Sequence, residues 1–150
     1  MNKPFIKKIL LTQALLLLLA WASILRAQDT WVQLTDLTGS SRKGAVAVSI
    51  GNKGYIGTGF NGVYLKDFWE WDNTTGAWTQ ISDLTGPGRA YAAAFAVGGK
   101  AYVVTGYNGG FLGDSWEYNP ITNNWIAKSA FPGGPRQGAT GLAITDQGIV

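Results

Sequence analysis

The sequence repeats itself at a constant spacing of 47 residues, without a gap. One tryptophan and one arginine recur in each of three copies: Trp31, Trp78 and Trp125; Arg42, Arg89 and Arg136. So many agreements at one offset are not a chance result of composition. The chain is therefore predicted to be an array of like units, each burying its apolar faces against its neighbours.

Each unit predicts four short strands separated by glycine. In the first copy these are 44–50, 53–59, 65–72 and a fourth strand that begins at Trp78. The second copy repeats them at 91–97, at 100–106 and from Trp125. The first strand is a continuous small apolar run, as expected of a strand buried on both faces, and the third alternates between its two faces. The fold class is predicted to be all-β.

The composition excludes most familiar enzyme sites. The chain has no cysteine and no histidine. This excludes a disulfide scaffold, a thiol nucleophile, the usual metal ligand and the usual general base. Glu70 and Glu117 stand 47 residues apart, in different units, and do not predict a carboxylate dyad. We expect no catalytic residues, no metal and no cofactor in this segment.

Residues 1–27 have the pattern of a secretory signal peptide. Three lysines precede an apolar stretch over 9–25, and small residues follow it. Cleavage is expected after Ala27, with Ala22 as the alternative. An uncleaved anchor is a further alternative, although Thr12 and Gln13 interrupt an apolar run that would need ~20 residues to span a membrane. The protein is expected to be extracytoplasmic: secreted, periplasmic or at the cell surface.

The positive charge belongs mainly to this leader. The formal net charge is +3, and four of the twelve basic residues lie in the first 27, where there is no acid. The remainder has eight basic and nine acidic residues, a net charge of about −1. We therefore expect no nucleic-acid partner, and no membrane association once the signal is removed.

Four strands in 47 residues are typical of a β-propeller blade, and the motifs resemble the kelch repeat. A hydrophobic strand ends in Thr58-Gly59, an Asp-x-Trp-x-aromatic strand follows at 67–71, and Trp78 begins the last strand. The pattern is similar to secreted bacterial galactose-oxidase-like kelch proteins. One departure is that Thr58-Gly59 and Thr105-Gly106 stand where kelch repeats usually have two glycines.

The predicted domain 28–150 holds about 2.6 blades, whereas closed propellers need at least ~4. We expect an outer strand at 31–35, blade one at 42–83, blade two at 89–130 and the start of blade three at 136–150. The segment is interpreted as the N-terminal part of a larger ring, whose missing blades come from a longer chain. Self-association of several copies is the alternative.

Residues at blade spacing are predicted to be structural. The tryptophans are expected to pack between blades rather than stack on sugars. The aspartates are expected to satisfy neighbouring donors rather than catalyse. The predicted structural repeat positions are Trp31, Tyr55, Gly59, Asp67, Trp69, Trp78, Tyr102, Gly106, Asp114, Trp116 and Trp125.

The recurring arginines are the candidate ligand-binding residues. The resemblance implies that arginine in an Arg-x-Gly position lines the ligand mouth of a kelch ring. Arg42 and Arg136 keep the glycine two residues on, whereas Arg89 has Tyr91 there. Guanidinium groups at the mouth would suit a carboxylate, a phosphate or an acidic peptide. The alternative is that the arginines bridge neighbouring loops and blades.

Two functions are compatible with these features. The first is a non-catalytic binding or scaffolding propeller that recognises a protein or glycan through its loops, with an anionic ligand among the candidates. The alternative is a carbohydrate-active kelch enzyme with a sialic-acid-epimerase-like site of arginine and acid. Copper chemistry of the galactose-oxidase type is disfavoured, because it needs histidine and a cysteine-linked tyrosine, and this segment has neither histidine nor cysteine.

Overall fold

The computed structural model describes residues 31–150, which form ten β-strands and no helix. The signal peptide and its two cleavage points lie outside the described residues. Within the described range, no helix is long and apolar enough to cross a membrane. The strands are β1 (Val46–Ile50), β2 (Lys53–Gly57), β3 (Phe68–Asp72), β4 (Ala77–Ile81), β5 (Ala93–Val97), β6 (Lys100–Tyr107), β7 (Phe111–Asn119), β8 (Asn124–Lys128), β9 (Leu142–Ile144) and β10 (Gln147–Ile149).

Two antiparallel four-stranded sheets follow one another along the chain, in the orders β1-β2-β3-β4 and β5-β6-β7-β8. A third sheet is the hairpin of β9 and β10. Each four-stranded sheet is a meander in which every strand pairs with the next. The prediction of an all-β chain built from four-stranded blades is confirmed.

The second and third strands of blade one are shorter than predicted, because the backbone leaves the ladder at Thr58. Thr58 and its repeat equivalent Thr105 have φ angles of 57° and 63°, in the left-handed region that favours glycine. Both residues are fully buried, and their hydroxyl groups have no hydrogen-bond partner. In blade two the ladder resumes beyond a bulge and pairs Tyr107 with Phe111, so β6 and β7 are longer.

The core lies between the two blades. Tyr55 of blade one packs against Tyr118 of blade two, with ring centroids 5.9 Å apart, and Phe68 packs against Trp125 at 4.7 Å. Leu84, in the connection between the blades, is completely buried in the same cluster. Aromatic pairs of this kind stabilise both by burial and by their tilted ring geometry.

The outer strands are anchored to the preceding connections by tryptophan. The Trp78 Nε1 donates to the carbonyl oxygen of Thr35 at 3.0 Å, and Trp125 Nε1 donates to that of Ser82 at 2.9 Å. No strand is assigned at 31–35 in the described part of the chain. A strand requires a hydrogen-bonded neighbour, and the neighbour predicted for this segment belongs to another blade of a ring. Its role as an outer strand stays a prediction.

Candidate functional site

The long connections of both blades leave the sheets at the same end. β1 and β3 begin there, and β2 and β4 end there. The connections over 58–67 and 82–92 therefore lie together, while only the short turns at 51–52 and 73–76 lie at the other end of blade one. We call the end with the long connections the loop face.

An arginine and an aspartate form a bidentate ion pair beneath the loop face of blade one. The Arg42 guanidinium contacts the two carboxylate oxygens of Asp67 at 2.6 and 2.7 Å and donates to the Thr58 carbonyl at 3.1 Å. The Trp69 Nε1 donates to the same carboxylate at 2.8 Å. Such a pair is both strong and geometrically specific, because two parallel hydrogen bonds fix the planes of both groups.

Blade two repeats this arrangement. Arg89 contacts Asp114 at 2.6 and 2.7 Å and donates to the Thr105 carbonyl at 2.9 Å, and Trp116 donates to Asp114 at 2.6 Å. The Arg89 side chain is fully buried. We call these two sets, Arg42–Asp67–Trp69 and Arg89–Asp114–Trp116, the arginine clamps.

Arg89 also joins the two blades. Its backbone N–H donates to the Leu65 carbonyl of blade one at 3.0 Å, and its carbonyl accepts from Gly59 N–H at 2.7 Å. Its side chain, by contrast, is held by blade two through Thr105 and Asp114. One residue therefore carries hydrogen bonds to both blades.

The clamps keep both aspartates ionised. Burial alone would raise the pKa of Asp67, but hydrogen bonds from Arg42 and Trp69 outweigh it and hold the pKa below its usual value. At Asp114 burial would likewise raise the pKa, but hydrogen bonds from Arg89 and Trp116 outweigh it, and the pKa is lowered. Neither carboxyl is therefore suited to donate a proton near neutral pH.

The structure places the three candidate ligand-binding arginines in two different environments. The guanidinium groups of Arg42 and Arg89 are directed at protein acceptors, which favours the bridging alternative for these two residues. Arg136 is exposed, lies 5.0 Å from the ring centroid of Phe131 and donates to the carbonyl of Gly134 at 3.3 Å.

A cleft of about 350 Å³ opens on the loop face. Its walls come from three successive repeats, and they are Lys43, Phe60, Tyr64, Tyr91, Tyr107 and Gln137. A continuous series of aromatic rings runs along it, with centroid distances of 5.0 Å from Phe60 to Tyr64 and 5.9 Å from Tyr64 to Tyr107. The series continues to Phe111, 5.6 Å from Tyr107, which is not among the residues of the cleft wall. The size suits a small ligand or one unit of a larger one.

The rings stand on two equivalent loop tips. Their sequences are Phe-Asn-Gly-Val-Tyr over 60–64 and Tyr-Asn-Gly-Gly-Phe over 107–111. Gly62 and Gly109 have φ angles of 119° and 101°, which only glycine adopts without strain. In each tip the asparagine N–H donates to the carbonyl two residues on, at 3.2 Å. The tight turn brings the two flanking aromatic side chains together.

Tyr91 lies in this cleft with a strained backbone. Its φ angle is 55°, whereas the equivalent residues of the neighbouring repeats, Gly44 and Gly138, have φ angles of 65° and 73°. A β carbon at Gly44 would lie 2.9 Å from the Tyr91 ring, so the glycine makes room for that ring. A bulky residue in the left-handed region costs ~1–2 kcal/mol. Backbone strain at a cleft is the kind of observation from which a functional constraint on the side chain can be proposed.

The comparisons with known proteins agree with this architecture. The family model described as Kelch motif matches residues 88–129, which include β5 to β8. Residues 88–129 match a kelch motif, and the four-stranded sheets are blades of the kelch β-propeller fold. The resemblance drawn from the Asp-x-Trp strands and the terminal tryptophans is therefore confirmed.

A solved structure gives the same kelch fold. The structure titled "Structure of YjhT" matches with a TM-score of 0.72 and 19% sequence identity, over 82% of this chain and 48% of that chain. The present kelch segment therefore spans about half the length of that structure. No curated protein matches the sequence significantly.

A second charged cluster lies on a sheet of the kelch segment rather than in the cleft. Glu117 accepts hydrogen bonds from Lys100 at 2.5 Å and Tyr102 at 2.9 Å, and forms an ion pair with Lys128 at 3.2 Å. The hydrogen bond from Lys100 is the largest influence that lowers the pKa of Glu117 to about 2. Burial and the bond to Glu117 raise the pKa of Tyr102 to about 12. These groups are already paired with one another, which favours a structural role.

The aromatic residues of the loop tips were not predicted as part of a site, although their spacing is visible in the sequence. Phe60 and Tyr107 share the 47-residue spacing, as do Tyr64 and Phe111, but aromatic identity alone does not distinguish a cleft from a core. Tyr91, by contrast, stands out in the sequence as the break in the Arg-x-Gly pattern. Among residues 31–150, no group of three or more histidine, cysteine, aspartate or glutamate side chains could hold a metal ion.

Proposed function

We propose that this kelch protein is an extracytoplasmic binding propeller that holds its ligand in the cleft of the loop face. The observation that supports this proposal most directly is the backbone of Tyr91, which is left-handed at a position where both neighbouring repeats have glycine. Tyr91 is 42% exposed and forms part of the cleft wall. A strained, exposed aromatic side chain next to other rings is better explained by ligand contact than by packing.

The chemistry of the cleft supports binding rather than catalysis. Among residues 31–150, none of those that form its walls carries a carboxylate, and the repeated aspartates Asp67 and Asp114 are held by Arg42 and Arg89. A sialic-acid-epimerase-like site of arginine and acid would need these groups to face a substrate. Here the guanidinium and carboxylate groups face each other, which supports the non-catalytic function.

Extracytoplasmic location is proposed from the N-terminal sequence pattern. Its test is mass spectrometry of the N-terminus of the full chain recovered from expressing cells. We expect the mature protein to begin at Gln28, because Ala27 ends the small-residue region of the leader. Recovered protein that retains Met1 to Arg26 would contradict the proposal.

Ligand binding at the cleft is tested by screening the full chain against immobilised glycans and peptides. Tyr107→Ala removes a ring from the middle of the aromatic series, and we expect affinity to fall about tenfold or more. Ile121→Ala is the control, since Ile121 is 92% exposed in the β7–β8 turn, at the end of the sheet opposite the loop face. A ligand bound equally well by wild type and Tyr107→Ala would refute binding at this cleft.

A further inference from the structure

The two loop tips and Tyr91 together suggest a chemical class of ligand. We infer that the cleft binds a neutral glycan built from a repeating sugar unit, which lies across adjacent tips of the loop face. This inference rests on the proposed function, because it names the ligand of the same cleft. Three features of the cleft support it: its low charge, its free hydrogen-bonding groups and the repetition of its loop tips.

The cleft has little charge to offer an anionic ligand. The tips over 60–64 and 107–111 contain no charged residue. Arg42 and Arg89, two of the three arginines expected to attract an anion, are turned inward to Asp67 and Asp114. The third, Arg136, is exposed but lies against the ring of Phe131 and is not among the described residues of the cleft wall. Lys43 is the one charged residue in the cleft wall, and its Nζ lies 5.7 Å from the ring centroid of Phe60. A ligand without charge is therefore the better complement to this surface.

The cleft does have free hydrogen-bonding groups beside its rings. The hydroxyls of Tyr64, Tyr91 and Tyr107 and the amide of Gln137 make no side-chain hydrogen bond to any residue of 31–150. A sugar presents hydroxyl groups at its edge and an apolar C–H face. It can therefore stack on an aromatic ring and exchange hydrogen bonds with tyrosine and glutamine at the same time. A few polar groups around an apolar wall are what orient a ligand in such sites.

The repetition of the tips argues for a repeating ligand. Each tip offers one pair of rings, at the same phase of the 47-residue repeat, and the contact between Tyr64 and Tyr107 makes the two pairs continuous. Equivalent subsites at a fixed spacing gain affinity together only when the ligand presents equivalent groups along its length. A polysaccharide does so by its construction, whereas the surface of a folded protein does not.

The test uses the full chain with defined probes: xyloglucan, galactomannan, β-1,3-glucan and arabinan, oligosaccharides of increasing length from each, and polygalacturonate as the acidic counterpart. For a neutral probe, we expect affinity to rise about tenfold from a single sugar to an oligosaccharide that reaches both tips. We expect it to change less than about twofold between ~50 and ~500 mM NaCl, since no charge pairing is screened.

Tyr91→Gly is the decisive variant, because it removes the ring while giving the strained backbone the residue found in both neighbouring repeats. We expect it to weaken glycan binding about tenfold while the melting temperature stays close to that of wild type. Lys43→Met removes the charge and keeps a side chain of similar length. We expect the dependence of glycan affinity on NaCl concentration to stay as weak in this variant as in wild type, because the interaction is without charge.

The outcomes separate this inference from the proposed function. Binding of polygalacturonate alone, lost in high salt and with Lys43→Met, would overturn the neutral glycan and leave the cleft as the binding site. Peptide binding that depends on Tyr91, without glycan binding, would overturn the glycan and leave the proposed function. Binding that neither Tyr91→Gly nor Tyr107→Ala affects would overturn both. If no glycan of the panel binds, the inference is wrong.

Discussion

The loop face has two layers that differ in charge, in hydrogen bonding and in how closely they keep the repeat. The arginine clamps are charged, tightly hydrogen-bonded and the same in both blades, with Arg42 and Arg89 making equivalent contacts. The cleft above them is nearly neutral and aromatic, and it breaks the repeat at Tyr91. The difference indicates that identical side chains in the repeat hold the blades, and we propose that a departure from the repeat marks the surface that meets a ligand.

The largest expected effect comes from breaking a clamp. Asp114→Ala leaves the completely buried Arg89 guanidinium without its carboxylate, and we expect the free energy of unfolding to fall by ~3–5 kcal/mol. Urea denaturation of the full-length protein measures it. Asp146→Ala is the control, because Asp146 is exposed and its one side-chain hydrogen bond among the described residues is to its neighbour Thr145. A loss below about 1 kcal/mol would mean that the clamp is not a major source of stability.

A smaller effect is expected from acid. The pKa of Glu117 is lowered to about 2 in the folded protein, from an ordinary value of 4.5, chiefly by its hydrogen bond from Lys100. Its contribution to stability is therefore complete above pH 4.5 and is lost as the pH falls toward 2. Glu117→Gln should flatten the fall in melting temperature over this range. An unchanged pH profile in this variant would assign acid sensitivity to other carboxylates, such as those of the clamps.

The smallest effect on stability is expected in the cleft. Tyr91→Gly loses a half-exposed ring but relieves a strained backbone, and we expect the free energy of unfolding to stay within ~1 kcal/mol of wild type. The reciprocal change, Gly44→Ala, adds a β carbon 2.9 Å from the Tyr91 ring at a φ of 65° and should cost more than ~1 kcal/mol. If Tyr91→Gly proves as destabilising as a clamp variant, Tyr91 is structural and the distinction between the layers fails.

The blade architecture could be predicted from the sequence because it depends on local patterns. Glycine turns and alternating side chains can be recognised in the sequence itself, and the 47-residue repeat gives the order of the strands. The strand limits at Thr58 were not predictable in the same way. The left-handed conformation of that threonine depends on its buried surroundings, which override the high β propensity of the residue.

The role of the arginines needed the three-dimensional structure. Arg42 and Asp67 recur together in the next repeat, but a pairing across 25 residues depends on how the intervening strands fold back. The same periodicity fits a ring of ligand-binding guanidinium groups and a set of internal ion pairs. The burial of Arg89 distinguishes them, and burial of a charged residue is not visible in its spacing.

Arg89 has a consequence for how the two blades come apart. Its main chain is bonded to blade one and its side chain to blade two, so neither blade can open alone without breaking these bonds. If blade two opened while blade one stayed folded, the buried Arg89 guanidinium would also lose its carboxylate partner, which is costly. In a linear array of repeats, this raises the free energy of a state in which one blade is folded and its neighbour is unfolded. Adjacent blades should then unfold together, and the cleft between them should persist for as long as either blade is intact.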